Sequence, residues 1–241
     1  MSEPVPAVVT LHVWRVPPRR IPRAVAQMGA GRRPLRRTPG LRFAKLLGIG
    51  DGATFTIRDS DPTRWALLSA WADPGAAGAF EQSAVARKWR RLAVEAWRVD
   101  LLPLAARGRW AGREPFGQPR AARWEGPVAA LTRARLRPHK AATFWRAVPP
   151  VASDLWSGRS GGAARPGPRL ALGIGEAPVL FQGTFSVWDD ADALTGFAYR
   201  SPAHLDAIER TATEGWYAEE LFARFGVLRS AGTLAGRDPL A

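Results

Sequence analysis

Segments in which hydrophobic residues alternate with polar ones are interspersed along this chain with segments of helical spacing. Residues 7–14 alternate between apolar and polar side chains and are rich in valine, which is typical of a half-buried β-strand. Comparable runs predict further strands at 42–49, 64–71, 98–105, 128–136, 169–175, 179–188 and 225–230. Longer segments with helical spacing predict helices at 20–30, 75–97, 139–148 and 190–222, the last with breaks near 196–201 and at Gly215.

Short motifs recur in the same order about half a chain apart. Residues 108–116 (GRWAGREPF) return at 232–240 as GTLAGRDPL, an offset of 124. The triplet GIG at 48–50 returns at 173–175, and Trp71-Ala72-Asp73 returns as Trp188-Asp189-Asp190. Because these matches keep their order at a nearly constant offset, we interpret the chain as two copies of one unit.

The predicted order within each unit is strand, helix, strand, strand, helix, strand, which is that of the ferredoxin-like motif. We therefore predict an α+β fold in which tandem ferredoxin-like repeats form a dimeric-α/β-barrel-like arrangement within one chain. The predicted repeats are residues 1–116 and 127–241, joined by a linker at 117–126, and residues 157–168 are predicted to form a Gly/Pro/Arg-rich loop.

Composition removes several kinds of chemistry. The chain has no cysteine, which excludes disulfides, thiolate nucleophiles and a cysteinate-ligated haem. No run of 18 apolar residues is present, so we expect no membrane-spanning helix, and the first residues do not resemble a signal peptide. These features favour a cytoplasmic protein.

The net charge of +14 permits contact with nucleic acid or with an anionic lipid surface. Most of the arginines are scattered, and no nucleic-acid-binding motif accompanies them, so we expect a solvated surface and no specific nucleic acid partner. One cluster, Arg32-Arg33 with Arg36-Arg37, leaves open a peripheral contact with lipid headgroups or the guidance of a hydrophobic substrate.

One histidine stands in a context that suits a metal ligand. Ser201 and Pro202 are residue types that begin helices, which places His204 in a first helical turn. The positive end of the helix dipole disfavours a protonated imidazole there, and a neutral imidazole is the form that binds iron or zinc. The spacing alone favours a buried or half-exposed histidine without metal over a ligand.

Several segments together resemble the spheroidene monooxygenase family, the carotenoid ketolases of purple bacteria and their relatives. The resemblance covers nearly the whole chain and is densest from 128 to 226. The segments that carry it in this half are ALTRA at 130–134, FWRAVP at 144–149, GIGEAP at 173–178, QGTFSVW at 182–188, PAH at 202–204 and GWYAEELFARF at 215–225.

This resemblance implies a haem-containing, oxygen-dependent monooxygenase with a hydrophobic, carotenoid-like substrate and an external electron donor. His204 becomes the expected proximal iron ligand in the C-terminal repeat. The polar candidates for the distal side are Gln182, Thr184 and Ser186, which share one strand face, and Arg133 on another strand. The aromatic residues Phe144, Trp145 and Trp216 are expected to line the cofactor and substrate pocket.

Each of these residues also has a simpler interpretation, as a satisfied polar group in a sheet or as ordinary core packing. Two other functions remain open at this stage. One is a different haem enzyme on the same scaffold, such as a dehydratase or an oxidase of a nitrogen-containing molecule. The other is a non-catalytic protein that binds haem or, through its charge, nucleic acid. His12 and His139 are treated as ordinary strand and surface residues.

Overall fold

A computed structural model describes residues 3–50, 59–120, 123–140, 143–144, 167–176, 181–200 and 213–241, without the side chains of 181, 182, 199 and 200. The described strands are β1 (Val8–Arg15), β2 (Leu41–Gly50), β3 (Ser60–Trp71), β4 (Glu95–Gly108), β5 (Val128–Leu136), β6 (Leu170–Gly175), β7 (Phe181–Trp188) and β8 (Tyr217–Gly232). The α-helices are α1 (Ile21–Ala30), α2 (Arg32–Arg36), α3 (Pro74–Ala79), α4 (Ala84–Leu92) and α5 (Ala191–Arg200).

The strands close into one barrel in the order β1-β3-β2-β6-β7-β5-β8-β4. Within each half the strand order is that of the ferredoxin-like unit, and every recorded strand pair is antiparallel. The two halves join edge to edge, β2 against β6 and β4 against β8. The predicted fold class, tandem ferredoxin-like repeats in a dimeric-α/β-barrel-like arrangement, is confirmed.

The inner faces of both sheets meet in a single apolar core inside the barrel. Alternation sends every second strand residue inward. The residues of this interior cluster include Leu11, Val13, Leu68, Val99, Ala129, Leu131, Leu172, Phe185, Leu221 and Phe225.

The outer face of the N-terminal sheet is covered by α1, α2, α3 and α4. The buried residues of this second cluster include Trp14, Leu35, Leu46, Leu67, Trp71, Phe80, Val85 and Trp89. None of the helices in the described ranges is both long and apolar enough to cross a membrane.

The repeated Trp-x-Asp motif ends a strand and begins a helix in both halves. Asp73 precedes α3 and accepts the Ala76 backbone N–H at 2.8 Å. Asp190 precedes α5 and accepts the Ala193 N–H, also at 2.8 Å. An aspartate at this position satisfies a donor that the first helical turn leaves unpaired. The motif recurs because both repeats need the same helix start.

We expect Asp73→Ala to lower the free energy of unfolding by about 1 kcal/mol, because it removes an N-cap acceptor. Asp73→Asn keeps an acceptor oxygen and is expected to lose much less. Urea unfolding of both variants checks this, and equal losses would show that the cap hydrogen bond is not what Asp73 contributes.

The repeat at 108–116 and 232–240 forms matching turns after β4 and β8. Gly108 and Gly232 have φ of +88° and +86°. A Cβ at either glycine would collide with a backbone carbonyl oxygen, that of Glu220 or of Ala96 respectively. Glycine is therefore required twice, because β4 and β8 approach each other closely at both ends of their pairing.

Three predicted boundaries are wrong. Helical spacing was expected to continue to 222, but β8 begins at Tyr217 and pairs with both β4 and β5. The helix expected over 75–97 ends at Leu92, and β4 begins at Glu95. Pairing partners on both sides override the local spacing in these two segments. The break expected near 196–201 is absent up to Arg200, because α5 continues through Gly196.

Other predictions fall on residues that the structure does not describe. Residues 138–140 form a 3₁₀ turn, and of the helix expected over 139–148 only 143–144 are described beyond that turn. Residues 157–166 and 201–212, including His204, lie outside the described ranges. The described parts of the predicted linker, 117–120 and 123–126, contain no helix or strand.

Candidate functional site on the C-terminal sheet

The two sheets can be compared position by position because their strand registers match. Val8 pairs with Trp71 across β1 and β3, and Val128 pairs with Trp188 across β5 and β7. Starting from these pairs, each outward residue of the N-terminal sheet has a counterpart in the C-terminal sheet. The comparison shows where the second repeat carries smaller side chains than the first.

Tryptophan fills the outer face of the N-terminal sheet. Trp14 and Trp65 are cross-strand partners, and Trp14 stacks on Trp89 of α4 with ring centroids 5.0 Å apart. Their counterparts in the C-terminal sheet are Ala134 and Gln182, which pair across β5 and β7. An indole is replaced by a methyl group in one case and by an amide side chain in the other.

The next row of cross-strand neighbours also has smaller side chains in the C-terminal sheet. In the N-terminal sheet, Leu67 is flanked by His12 and Leu46. The same row of the C-terminal sheet places Thr184 between Thr132 and Gly173. Thr184 therefore corresponds to Leu67, Gly173 to Leu46, and Thr132 to His12.

We call this set the C-terminal outer surface. Its residues are small or carry a hydroxyl group, and they comprise Thr132, Ala134, Gly173, Thr184 and Ser186. Thr132 and Thr184 are half-buried. The rows that contain Ala134 and Ser186 lie about 13 Å apart along the strands. Ala134 and Ser186 are buried, and Ala134 stands at a position where the other repeat has the larger Trp14.

Aromatic groups stand at both ends of this surface. At one end Phe144 packs edge-on against Trp216 and Tyr217, with centroids 5.6 and 5.9 Å apart. At the other end Trp188 packs against Phe197 of α5 at 5.2 Å. The predicted wall residues Phe144 and Trp216 are thus in contact with each other, while Trp145 lies outside the described residues.

The two predicted hydroxyl groups on β7 differ in their surroundings. Ser186 is buried, and its Oγ accepts the indole N–H of Trp188 at 2.9 Å. The equivalent tryptophan, Trp71, donates to Thr10 at the same distance. Ser186 therefore positions an aromatic side chain, whereas Thr184 is half-buried on the same face. Gln182 shares this face, although its side chain is not described.

Arg133 is placed elsewhere. Its strand neighbours Leu131 and Ala129 belong to the barrel interior, and Arg133 faces the same way. The side chain is 4% exposed, and the guanidinium lies over the ring of Trp110, 5.5 Å from its centroid. The structure thus separates Arg133 from Thr184 and Ser186 by the thickness of the sheet.

A network of charges surrounds Arg133 at this end of the barrel. Arg133 pairs with Glu176 at 3.1 Å and with Glu219. Glu176 also accepts Lys45 Nζ at 2.6 Å and the indole N–H of Trp110 at 2.5 Å. Lys45 and Trp110 come from the N-terminal repeat, so the network joins the two halves.

Glu219 is held ionised by its surroundings. Burial acts to raise the pKa of Glu219, but hydrogen bonds from the backbone N–H groups of Gly112 and Ala111 and from Arg133 hold it below its ordinary value of 4.5. Glu95, its counterpart 124 residues earlier, has a pKa lowered in the same way: burial raises it, and hydrogen bonds from Gly236, Arg15 and other donors outweigh that effect. Each carboxylate therefore clamps the turn of the other repeat.

A carboxylate whose pKa is lowered by folding stabilises the protein above its unfolded pKa, and this stabilisation is lost as the pH falls through the folded value. We expect Glu219→Gln to reduce stability at pH 7, with a difference from wild type that shrinks steadily below pH 4.5. Urea midpoints across this pH range measure the effect, and the exposed Glu125→Gln is the control. A difference that does not change with pH would contradict the assignment.

A cavity that the sequence did not predict lies between the outer face of the N-terminal repeat and the end of β8. It has a volume of about 280 Å³, and its lining includes His12, Trp14, Glu81 and Arg98. His12 Nε2 lies 2.7 Å from Glu81 Oε1, which also accepts Arg98 at 2.8 Å. Burial acts to raise the pKa of Glu81, but His12 and the nearby arginines lower it overall.

His12 is 4% exposed and stacks on Trp14 with centroids 5.4 Å apart. Its Nδ1 has no hydrogen-bond partner among the described residues. The cavity falls just below the range of roughly 300–1,000 Å³ that is usual for sites that take drug-sized ligands. Strand alternation puts His12 and Trp14 on the same face of β1. Nothing in the sequence indicates that Glu81, 69 residues away, is the partner of His12.

Comparison with known proteins gives a consistent result. A spheroidene monooxygenase of Rhodobacter capsulatus is 37% identical over 224 residues, covering 92% of this chain and 90% of that protein. A spheroidene monooxygenase of Rubrivivax gelatinosus is 42% identical over 210 residues, covering 86% and 77%. The chain belongs to the spheroidene monooxygenase family. The family predicted from the sequence is confirmed.

Solved structures of other proteins share the fold of this member of the spheroidene monooxygenase family. An aldoxime dehydratase superposes with a TM-score of 0.62 at 12% identity, over 91% of this chain and 80% of that one. A second aldoxime dehydratase structure, in complex with butyraldoxime, gives 0.61 at 11% identity, over 91% and 79%. At these identities the likeness concerns the fold alone. No family model matches the chain.

Proposed function

We propose that this protein is a haem-dependent monooxygenase that inserts one oxygen atom of O₂ into a C–H bond of a carotenoid-like substrate. The observation that carries the proposal is the identity of 37–42% to proteins named spheroidene monooxygenase, over most of both chains. We propose that the chemistry occurs at the C-terminal outer surface.

The residues of this surface fit a haem. A porphyrin is flat and largely apolar, and Gly173 and Ala134 stand where the other repeat has bulky side chains. Aromatic pairs at the two ends would shield the ring edges from water. His204 would hold the iron. A haem bound there would supply oxygen activation, which the side chains of this chain cannot provide.

The chain's own residues would orient the reactants and control water and protons. The hydroxyl groups of Thr132 and Thr184 would donate hydrogen bonds on the sheet side of the site. Phe144 and Trp216 would exclude water and contact the hydrophobic substrate, because both are buried and aromatic. Ser186 would act indirectly, by holding Trp188.

Arg133 has a different role in this proposal. It lies in the barrel interior and pairs with Glu176 and Glu219. We assign it to joining the two repeats, whereas the sequence suggested that it directs charge toward oxygen or a haem propionate.

The reaction consumes R–H, O₂, two electrons and two protons and yields R–OH and water. We propose that a separate reductase or ferredoxin delivers the electrons. The structural likeness to aldoxime dehydratase does not favour a dehydratase, because at 12% identity it carries the fold alone.

The test is a reaction of the haem-reconstituted protein with spheroidene, a chemical reductant and ¹⁸O₂. We expect an oxygenated product, alcohol or ketone, that carries ¹⁸O from O₂, and none when haem is omitted. Haem uptake without any oxygenated product, or oxygen that comes from labelled water instead, would overturn the proposal.

A further inference from the structure

The helices of the N-terminal repeat present a surface of one charge. Residues 16–50 and 83–94, which contain α1, α2 and α4, include no aspartate or glutamate. Within the described residues, no ion pair is recorded for the exposed cations on this layer. Arg87 and Arg90 donate to the backbone carbonyl oxygens of Gln82 and Glu81. We call the other exposed cations the basic helical face: Arg19, Arg23, Arg32, Arg33, Arg36, Arg37, Lys88 and Arg91.

The helices that carry these charges form one layer. α1, α2 and α4 all bury residues in the same apolar cluster, including Ala24, Leu35 and Trp89. The guanidinium of Arg20 ties α1 to the end of α4, donating to the carbonyl oxygens of Arg91 at 2.9 Å and Leu92 at 3.1 Å. The charges are therefore held on a fixed scaffold.

Exposed aliphatic groups accompany the cations. Val25 on α1 is 54% exposed, and Val94, just after α4, is 55% exposed. The aromatic side chains of this layer, Trp14 and Trp89, are buried instead. Single-stranded nucleic acids are bound by cations interleaved with exposed aromatic rings that stack on the bases. Cations with exposed aliphatic side chains are the combination that binds an anionic lipid surface.

We propose that the basic helical face docks this protein on an anionic lipid bilayer. The inference goes beyond the proposed reaction, because it concerns where the protein resides and uses residues of the other repeat. Each cation near such a surface contributes about 1 kcal/mol, or roughly a fivefold change in affinity. Four neutralised arginines should therefore weaken binding strongly.

The experiment measures cosedimentation of the full chain with phosphatidylcholine vesicles, with and without phosphatidylglycerol. Wild type is expected to bind the anionic vesicles and to dissociate as salt rises. A variant with Arg32, Arg33, Arg36 and Arg37 changed to Gln should bind at least tenfold more weakly. Val25→Asp should weaken binding without removing a cation.

A second quadruple variant controls for net charge. Four other arginines are exposed and lie outside the helical layer: Arg109, Arg120, Arg123 and Arg237. Changing them to Gln removes the same number of positive charges. This variant should bind vesicles like wild type. Equal losses in both quadruple variants, no vesicle binding by wild type, or tighter binding to duplex DNA than to anionic vesicles would overturn the proposal. Binding is read without haem, so the result is independent of the oxygenase test.

Discussion

Ala134→Trp is expected to abolish haem uptake while leaving the barrel folded. The substitution gives the C-terminal sheet the indole that Trp14 supplies in the N-terminal sheet, where it packs on Trp89. Ala134 is buried, and under the proposed function the new ring would occupy the space of the porphyrin. Haem uptake is measured by absorbance titration, and folding by circular dichroism and the unfolding midpoint.

Two further variants make this result interpretable. Ala84→Trp adds the same ring at an exposed position on α4 and should bind haem like wild type. Thr184→Leu copies Leu67 of the other repeat and makes a smaller change, for use if the tryptophan variant does not fold. A folded Ala134→Trp protein that takes up haem like wild type would show that the cofactor does not lie on this surface.

Arg133→Met is expected to lower the free energy of unfolding by about 3 kcal/mol. Removing the cation from a buried pair leaves an uncompensated buried charge, which typically costs 3–5 kcal/mol. Here Glu176 keeps Lys45, and Glu219 keeps two backbone N–H groups, so we expect the lower end of that range. Urea unfolding at pH 7 measures the loss.

The control is Arg135→Met, which makes the same change two residues along β5 at an exposed position. Its cost should stay within about 0.5 kcal/mol, as for most surface substitutions. The pair also separates two roles for Arg133. Unchanged stability with lost oxygenase activity would return Arg133 to the catalytic role that the sequence suggested.

The fold could be predicted largely because its two halves repeat short signals with a local cause. Asp73 and Asp190 recur because each caps a helix. Gly108 and Gly232 recur because each lies where two strands come too close for a side chain. A cap or a crowded turn depends on residue type at a fixed place, so it is visible in the sequence.

The start of β8 could not be predicted for the opposite reason. Tyr217 becomes a strand residue by pairing with Leu136, 81 positions earlier in the chain. The helical spacing in 190–222 is a local pattern. From Tyr217 onward, hydrogen bonds with distant strands determine the structure instead. The same holds for Glu95, which helical spacing assigned to the preceding helix.

The candidate site was predictable only in part. Alternation correctly put Thr184 and Ser186 on one face of β7. It did not tell which face of β5 Arg133 occupies, because that depends on the register with β7 and β8. The partners of Arg133, Glu176 and Glu219, are 43 and 86 residues away, and no spacing rule connects them.

The central claim is that this chain binds haem through the C-terminal repeat, with His204 as the iron ligand. Titration of haem into wild type, His204→Ala and His12→Ala, followed by the Soret absorbance, tests it most directly. We expect wild type and His12→Ala to take up haem with the same spectrum, and His204→Ala to lose that band while unfolding at a similar midpoint. Unchanged binding by His204→Ala, or loss of binding only in His12→Ala, would contradict the claim.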